Sequence, residues 1–514
     1  MAYKIGAVKP ILALTLIAAA GLIHPAAAQP PVSAAVQAHA EASQEAVLRL
    51  AERLRRLEDD GLDPRFYDIP GVETAAGDPT AFRQAVFRAA QFALTDLLHG
   101  RVGALPGRSD IRRDIDLVPL GPWMAELLAS REPAAVIERA SLLHPDARAL
   151  RAELARLRAL AAAGGTPTIP GNLNTTLEPG ATDPVRVPAL RARLAVDMPA
   201  LARGETGSPV YDTLLQDAVR RFQEAEGLEA DARVGRLTWQ ALNRPVEQRI
   251  RQLRVALDMR RAAGPPPAER RIEVNIPFQR LQMLEGTREI LAMNTVVGRP
   301  DRQTPMLNVR LTAVQFNPPW GVPVRNARED LLPRFRANPD AMIARGFRLF
   351  QRVEGEVVEV DPRSVDWTAY SRNHFPYSVR QDAGDANALG RIKFVMPNGE
   401  DIFMHDTPDR HYFRRGARFF SSGCIRLERP MELLELVLQG TPGWDRPRVD
   451  RALGTRVTSS VGVARTLPVR LHYTSVLVED GRVLMRADVY GLDEAYARAM
   501  ERGRGTRVAA AGAR

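Results

Sequence analysis

The sequence has 514 residues, enough for roughly two to four domains, each with its own hydrophobic core. Hydrophobic residues make up 45% of it and charged residues 26%, which is ordinary for a soluble globular protein. The net charge of +10 suits an anionic partner. No block of lysine and arginine is interleaved with aromatic residues, so nucleic acid is not expected as that partner.

Residues 1–28 are typical of a signal peptide. Lys4 and Lys9 form a positive n-region, residues 11–23 form an apolar core, and three alanines before Gln29 form a small-residue cleavage site. The apolar run is shorter than the roughly 20 residues that a membrane span needs, and no later segment is long and apolar enough. We therefore predict cleavage and a periplasmic protein without a permanent membrane span. Retention of the segment as an anchor is the alternative.

The region that follows is predicted to be all-helical. Apolar side chains recur at helical spacing over residues 33–58, 80–100 and 133–163. None of these stretches carries a cluster of histidine, cysteine or carboxylate residues at ligand spacing. We therefore predict a helical scaffold domain over residues 29–165.

A second helical part is predicted after that domain. Residues 166–205 begin in a stretch rich in glycine, proline and threonine and are interpreted as a linker or scaffold segment. Residues 206–245 predict a small helical domain, in which Thr238 is the expected N-cap of a short helix. Residues 246–268 predict a further scaffold helix.

From residue 270 onward, apolar side chains alternate with polar ones, as in half-buried strands. The predicted strands are 271–276, 281–284, 291–297, 309–316, 391–395, 402–404, 469–473 and 483–487, of which the last two close the chain. An insertion, 317–387, contains a helical piece near 330–344, and a helix is predicted over 430–438. The sequence thus predicts a multidomain α+β protein whose mainly β domain spans residues 269–500 and is followed by a basic tail, 501–514.

The chain has a single cysteine, Cys424, in the motif Ser421-Ser422-Gly423-Cys424-Ile425-Arg426. An exported protein with one cysteine cannot form an internal disulfide, so a catalytic thiolate is the best reason to keep an oxidisable thiol. A buried thiol that acts only as a small hydrophobe is the plain alternative. A site made of Cys424, His405 and His411 lacks the ligand pattern of known zinc sites, and no metal is expected.

His405 precedes Cys424 in the chain, at the end of a predicted strand, and can serve as the base that removes the thiol proton. Adjacent strands would bring the two side chains together. Gly423 allows a tight backbone path before the nucleophile, so that the amides of Ser422, Gly423 and Cys424 can point at a developing oxyanion. The group that orients His405 is expected to be the carbonyl of Asp406, its carboxylate or a serine hydroxyl.

The segments His405-Asp406-Thr407-Pro408 and Ser421 to Arg426 resemble the active-site signature of the L,D-transpeptidase family, which has a YkuD domain. Gln303-Thr304-Pro305 is similar to the family's earlier Thr-Pro turn. The segments 317–323 and 387–390 resemble the larger, YcbB-like branch, in which a helical scaffold is present and an inserted capping subdomain covers the active site. Residues 211–243 resemble a small three-helix peptidoglycan-binding domain.

The resemblance implies a reaction on peptidoglycan stem peptides, which serve as both donor and acceptor. Cys424 would attack the carbonyl between the third residue, a diamino acid, and the terminal D-alanine of a tetrapeptide stem, while His405 acts as base and then as acid. D-alanine would leave, and the amine of a second stem would attack the thioester to give a 3→3 cross-link. The family needs no metal or cofactor and is acylated by carbapenems, so Cys424 is the expected adduct site. Arg426, Ser421 and Asn387 are the expected substrate-binding residues.

Two kinds of alternative remain. An L,D-carboxypeptidase or an amide-exchange enzyme would use the same fold and thioester with a different acceptor, and a non-catalytic protein would only bind peptidoglycan through residues 206–245. Endopeptidases of the NlpC/P60 type are excluded because their cysteine precedes their histidine. The insertion 317–387 is interpreted as a lid that shields the thioester from water, with His374 as a structural or lid residue.

Overall fold

The computed structural model describes residues 42–111, 113–172, 174–203, 207–263 and 267–502. The predicted signal peptide and nearly all of the predicted basic tail lie outside the described residues. Within these ranges, no helix is both long and apolar enough to cross a bilayer.

The first half of the chain is built from α-helices joined by loops and short 3₁₀ turns. The helices are Gln44–Arg55, Thr74–Gly77, Pro79–His99, Leu120–Ala129, Pro133–Ser141, Ala147–Ala162, Arg186–Ala195, Thr213–Glu226, Arg236–Leu242 and Val246–Arg260. The first begins at Ser43, whose hydroxyl accepts the N–H of Ala46. Its leucines share one buried core with the apolar side of the helix Pro79–His99. The prediction of a helical first region is confirmed.

The helical prediction over residues 133–163 is confirmed, and the structure divides this stretch. The structure has two helices there, Pro133–Ser141 and Ala147–Ala162. Pro145 disfavours helical backbone at the residue before it and cannot donate a backbone hydrogen bond, so the two helices do not run together. The helix Leu120–Ala129 escaped prediction because only one of its side chains is buried, which leaves little apolar periodicity.

A second helical core lies around Trp239. The helix Arg186–Ala195, in the segment interpreted as linker or scaffold, packs its apolar face into this core. The prediction that Thr238 caps a helix is wrong. Its helix begins at Arg236, and the buried Thr238 hydroxyl accepts a hydrogen bond from the side-chain amide of Gln223, 3.2 Å away.

The second half of the chain is mainly β, as predicted. Its described strands are β1 Arg270–Asn275, β2 Arg280–Glu285, β3 Arg288–Gly298, β4 Leu307–Phe316, β5 Trp320–Val322, β6 Phe347–Val353, β7 Glu356–Val360, β8 Ser378–Gln381, β9 Ile392–Val395, β10 Met404–His405, β11 Phe419–Ser421, β12 Ile425–Leu427, β13 Ser459–His472, β14 Val476–Glu479 and β15 Arg482–Met485. One sheet has the order β11-β3-β12-β10-β9-β4-β13-β1-β2, and β2 also pairs with β3, so these strands close into a cycle that leaves β11 outside. The helices Pro430–Leu438 and Arg446–Gly454 pack against its core.

The end of the chain differs from the prediction. Residues 469–473 belong largely to the longer strand β13, which pairs with β1 and β4, and residues 483–487 overlap β15, which forms a hairpin with β14. The described chain then continues into an unpredicted helix, Leu492–Met500. Tyr496 and Met500 share a buried cluster with Val255 of the last scaffold helix, so the C-terminal segment packs on the helical half.

The insertion has a small core of its own. Its strands form a second sheet in the order β5-β8-β6-β7. Its helical segments are Val324–Asn326, the π-helical turn Ala327–Leu331, Leu332–Ala337 and Pro339–Ala344. Phe335 stacks on Trp367 with ring centroids 4.8 Å apart, and both rings are buried in this core. The helical piece predicted near residues 330–344 is confirmed.

A buried carboxylate joins the helical half to the end of the chain. Asp258 is fully buried and accepts hydrogen bonds from the guanidinium groups of Arg113 and Arg261. It also accepts the Tyr496 hydroxyl and the backbone N–H groups of residues 101–102. Burial raises the pKa of Asp258, but the two guanidinium groups outweigh burial and hold that pKa below its usual range.

Candidate active site

Neighbouring strands position the predicted base and nucleophile. β10 pairs in parallel with β12, and His405 stands opposite Arg426 in that pairing. Cys424 is the residue just before β12, and next to it the N–H of Ile425 donates to the carbonyl of Phe403, just before β10. Adjacent strands therefore carry the two side chains, as the sequence predicts.

The imidazole of His405 is buried and is oriented by a backbone carbonyl. Its Nδ1 lies 2.5 Å from the carbonyl oxygen of Asp406. A carbonyl only accepts, so Nδ1 carries the hydrogen and Nε2 keeps the lone pair that can take up a proton. The Asp406 carboxylate is occupied elsewhere, by the N–H of Arg391 at 2.9 Å and by the guanidinium of Arg410. Of the three groups expected to orient His405, the carbonyl is the one observed.

Both reactive groups are neutral at rest. Burial, together with the positive charges of Arg426 and Lys393, lowers the pKa of His405 to about 3. Burial raises the pKa of the Cys424 thiol to about 11, although the Phe403 N–H and the same two cations favour the thiolate. A thiol and a neutral imidazole therefore coexist near pH 7. Attack by this sulfur would therefore require the thiol proton to move during bond formation rather than beforehand.

The loop before the nucleophile is held by Ser421 and requires a glycine. The buried Ser421 hydroxyl accepts the N–H of Gly423 at 3.1 Å and donates to the carbonyl of Cys424 at 2.6 Å. Gly423 has φ +119°, and a Cβ there would meet the Ile402 side chain at 3.0 Å. The Gly423 amide is thus occupied, contrary to its predicted role toward an oxyanion. In the described part of the chain, the amides of Ser422 and Cys424 have no acceptor.

Thr304 also holds this loop through hydrogen bonds, a role that the sequence analysis did not assign to it. Its buried hydroxyl donates to the carbonyl of Gly423 at 2.7 Å and accepts the N–H of Gly298 at 2.9 Å. Its own N–H donates to the Tyr490 hydroxyl at 3.2 Å. The Thr-Pro turn singled out by resemblance is the available signal, and the structure shows that this turn braces the residue before the nucleophile.

Two cations near the site were also missed. Lys393 stands opposite His405 across β9 and β10, and its ammonium lies 3.9 Å from the ring centroid of Phe403. Arg302 donates to the Ser422 hydroxyl over 2.8 Å and pairs with carboxylates of the insertion. The alternation of the predicted strand 391–395 could have placed Lys393. No local pattern connects Arg302 to groups so distant in the chain.

The predicted substrate-binding residues differ in what they contact. Arg426 is partly exposed, donates to the Asp409 carboxylate at 3.1 Å and lies beside the Tyr412 ring. Asn387 is buried, and its side-chain amide donates to the carbonyls of Gln381 and Asp382. Its side-chain oxygen accepts the N–H of residue 389. The amide of Asn387 is fully used within the protein, so the predicted substrate contact is not supported, and buried Ser421 likewise shapes the loop.

The remaining histidines do not assemble a metal site. Among the described residues, no group of three or more histidine, cysteine, aspartate or glutamate side chains is arranged to hold an ion. The ring of His411 lies against Tyr412, with centroids 4.2 Å apart. His374 lies in the insertion, where its backbone pairs with Ser371 and its ring stacks on Tyr370.

Comparison with known protein families identifies two parts of the chain. Residues 269–449 match the family model YkuD, described as the L,D-transpeptidase catalytic domain. Residues 202–242 match the model described as "Putative peptidoglycan binding domain". For these two stretches the matches confirm the resemblance seen in the sequence: residues 269–449 are similar to L,D-transpeptidase catalytic domains, and residues 202–242 to a peptidoglycan-binding domain.

Individual relatives agree with this assignment. A protein of Haemophilus influenzae (strain ATCC 51907 / DSM 11121 / KW20 / Rd), described as "Putative L,D-transpeptidase", is 38% identical over 240 residues, which is 47% of this chain and 48% of that protein. The chain thus spans about half the length of this relative. A crystal structure of the L,D-transpeptidase (residues 123–326) from Xylanimonas cellulosilytica DSM 15894 is 15% identical, with a TM-score of 0.17, over 59% of this chain and 99% of that one. That score is too low to carry a structural argument.

Proposed function

We propose that this protein is a cysteine L,D-transpeptidase that joins peptidoglycan stems by 3→3 cross-links and releases D-alanine. The observation that carries the proposal is a neutral thiol, Cys424, just before the strand that pairs with the strand of His405, whose Nε2 keeps its lone pair because the Asp406 carbonyl holds the hydrogen on Nδ1. The family match of residues 269–449 supports the same chemistry.

In the first step, the sulfur of Cys424 attacks the carbonyl carbon between the third residue and the terminal D-alanine of a tetrapeptide stem. The thiol proton passes to Nε2 of His405 as the S–C bond forms. The N–H groups of Ser422 and Cys424, which have no acceptor among the described residues, stabilise the charge that develops on the carbonyl oxygen. His405 then gives the proton to the leaving nitrogen, the C–N bond breaks, and D-alanine departs from a thioester.

In the second step, the side-chain amine of a second stem attacks the thioester carbon. His405 is neutral again and takes a proton from that amine. The C–S bond then breaks, and the sulfur of Cys424 regains the proton from His405. Each proton that the imidazole takes up is returned, so the two steps balance as the exchange of one amide bond for another.

The other parts of the chain fit this role. The match of residues 202–242 supports binding to the peptidoglycan strand that carries the stems, and the net charge of +10 suits stems with free carboxylates. Removal of the predicted signal peptide would place the enzyme in the periplasm, with the insertion 317–387 as the cap of the thioester. The domain limits, the cap and carbapenem acylation at Cys424 stay predictions.

Mass spectrometry of the protein incubated with disaccharide-tetrapeptides tests the proposal. We expect a 3→3 dimer, free D-alanine and a thioester adduct on the intact protein. Cys424→Ala should abolish all three, a loss of roughly 10³-fold or more, because no other thiol is present. Arg363→Gln is the matched control, since its exposed ion pair with Asp340 lies in the insertion.

The products also separate the alternatives. A tripeptide with no dimer would identify an L,D-carboxypeptidase, in which water replaces the amine. A product unchanged in Cys424→Ala, or wild-type protein without adduct and without product, would contradict the proposal.

A further inference from the structure

One arginine connects the insertion to the loop of the nucleophile. Arg302 lies between β3 and β4, and its side chain is only 3% exposed. One end of its guanidinium group donates to the Ser422 hydroxyl at 2.8 Å. The same group binds the carboxylates of Glu329 and Asp330, each through a contact of 2.5 Å. Both carboxylates belong to the π-helical turn Ala327–Leu331 of the insertion.

The geometry of a guanidinium group makes this connection rigid. Its N–H donors lie in one plane in a fixed fork, so the two carboxylates, which contact both terminal nitrogens, also set the direction of the N–H that reaches Ser422. The hydroxyl of Ser422 therefore takes its position from Glu329 and Asp330. Ser422 is two residues before Cys424, and its amide is one of the two left for an oxyanion.

The backbone of the same turn is fixed independently. The N–H of Arg302 donates to the carbonyl of Arg299 at 2.9 Å. A Cβ on Gly298 would lie 2.3 Å from the carbonyl oxygen of Arg302, so the turn packs directly on the end of β3. Two residues after Arg302, Thr304 holds the carbonyl of Gly423. A single short turn thus contacts two consecutive residues that precede the nucleophile.

The exposure of the groups suggests a role in positioning rather than in substrate contact. Both terminal nitrogens of Arg302 donate to protein acceptors, its Nε has no hydrogen-bond partner among the described residues, and the side chain is buried. Glu329 and Asp330 are 32% and 30% exposed, so water can solvate them when they leave the guanidinium. The junction can therefore loosen without opening a hydrophobic core.

We infer that Arg302 is a positioning residue through which the insertion 317–387 holds the loop of Cys424 in its reactive geometry. The inference rests on the proposed function for its effect on acylation, but its structural part does not. A displacement of the insertion, for example when a stem peptide enters, changes the restraint on Ser422 and with it the alignment of the oxyanion donors.

Hydrogen exchange at the Gly423 and Ile425 amides tests the structural part, because both amides are hydrogen-bonded in this loop. Arg302→Gln and Asp330→Asn should each speed their exchange about tenfold, although Asp330 lies in the insertion. Asp330→Asn removes a partly exposed charge, so we expect this variant to fold even if the loss of the buried Arg302 side chain prevents Arg302→Gln from folding. Arg363→Gln, within the same insertion, should leave exchange unchanged.

The rate of acylation by a tetrapeptide stem, measured as the thioester adduct in a single turnover, tests the functional part. We expect Asp330→Asn to slow acylation about tenfold in the natural sequence but less than twofold in a Ser422→Ala background, because the connection to the loop is then already cut. Alkylation of the sole cysteine by iodoacetamide should stay within about twofold of the wild-type rate, which shows that the thiol is present and accessible.

The outcomes separate the two proposals. Unchanged exchange in Arg302→Gln and Asp330→Asn overturns the inference, and so does an equal effect of Asp330→Asn with and without the Ser422 hydroxyl. A third outcome is faster exchange in the two variants together with a wild-type protein that the stem never acylates. It would support the structural connection and overturn the proposed function.

Discussion

Two arginine–carboxylate junctions connect distant parts of this molecule, and they are built in opposite ways. At the first, the fully buried carboxylate of Asp258 is surrounded by donors from the helical half and the C-terminal helix. At the second, the buried guanidinium of Arg302 is surrounded by acceptors, of which Glu329 and Asp330 are about one-third exposed. Opening the first would leave charges of both signs in the interior, whereas opening the second would leave only the guanidinium there, because its carboxylates can be hydrated. We conclude that the first junction contributes to the stability of the fold, whereas the second fixes the position of the loop that precedes Cys424.

The largest expected effect on stability lies at the first junction. Asp258→Asn keeps the shape of the side chain but leaves Arg113 and Arg261 without a buried counter-charge, so the free energy of unfolding should fall by about 3–5 kcal/mol. Denaturant unfolding measures this loss. Alkylation of Cys424 in the molecules that remain folded should keep the wild-type rate. Slower alkylation of the folded molecules would show that a change at the Asp258 junction also alters the loop of Cys424.

We expect acid pH to remove the stability contribution of His405, in the candidate active site, before that of Asp258. His405 has a pKa of about 3 in the folded protein and about 6.5 when unfolded, so below pH 6.5 the unfolded state binds the proton that the folded state refuses. Stability is therefore lost as the pH falls from about 6.5 toward 3, by about 2–3 kcal/mol at pH 4.5. The contribution of Asp258, whose pKa is lowered, is lost only below the usual aspartate range.

The variant His405→Gln isolates the contribution of His405 to the pH dependence of stability. The difference in unfolding free energy between pH 7 and pH 4.5 should shrink by about 2–3 kcal/mol in this variant. The dependence that remains includes His472, whose pKa burial lowers to about 4. An identical pH dependence in wild type and variant would show that His405 is not held neutral.

A smaller change at the loop should affect both acylation and stability. Thr304→Val removes the hydroxyl between Gly298 and Gly423 at nearly constant volume, and the two unpaired backbone groups should cost about 1–3 kcal/mol. Acylation by a tetrapeptide stem should fall about tenfold, because the residue before the nucleophile loses its brace. Thr304→Ser keeps the hydroxyl and is the matched control. Equal acylation in the two variants would argue against the brace.

Local sequence signals were sufficient to single out the candidate catalytic residues and to predict most of the architecture. The alternation of apolar residues after residue 270 predicted most of the strands that pair in the large sheet, because that pattern depends only on which side of a strand is buried. The short strands β11 and β12 were not among them. The single cysteine and the histidine motif pointed to Cys424 and His405 as candidates, since a nucleophile and its base would leave a short and recognisable pattern. The same motifs predicted the resemblance to L,D-transpeptidase catalytic domains that the match of residues 269–449 bears out.

Features that depend on burial or on distant contacts were not predictable in this way. Asn387 looked like a ligand-binding residue, but its amide completes a buried turn. Gly423 supplied a plausible free amide, which the Ser421 hydroxyl occupies. Thr238 has the side chain of a good N-cap, yet it is buried inside its helix, where the core decides its partner. In each case the residue type was compatible with two environments.

The sequence by itself determined which atoms can react: one thiol, one histidine placed before it and a glycine that permits the turn. The tertiary structure decided their protonation states, their hydrogen-bond partners and the contacts of the loop around them. It placed His405 where burial and neighbouring cations keep the imidazole neutral, chose the Asp406 carbonyl to hold Nδ1, and brought Arg302 between the insertion and Ser422. Residue identity fixes the available chemistry, whereas pKa values and hydrogen-bond partners depend on local dielectric and distance, which arise only when remote segments pack together.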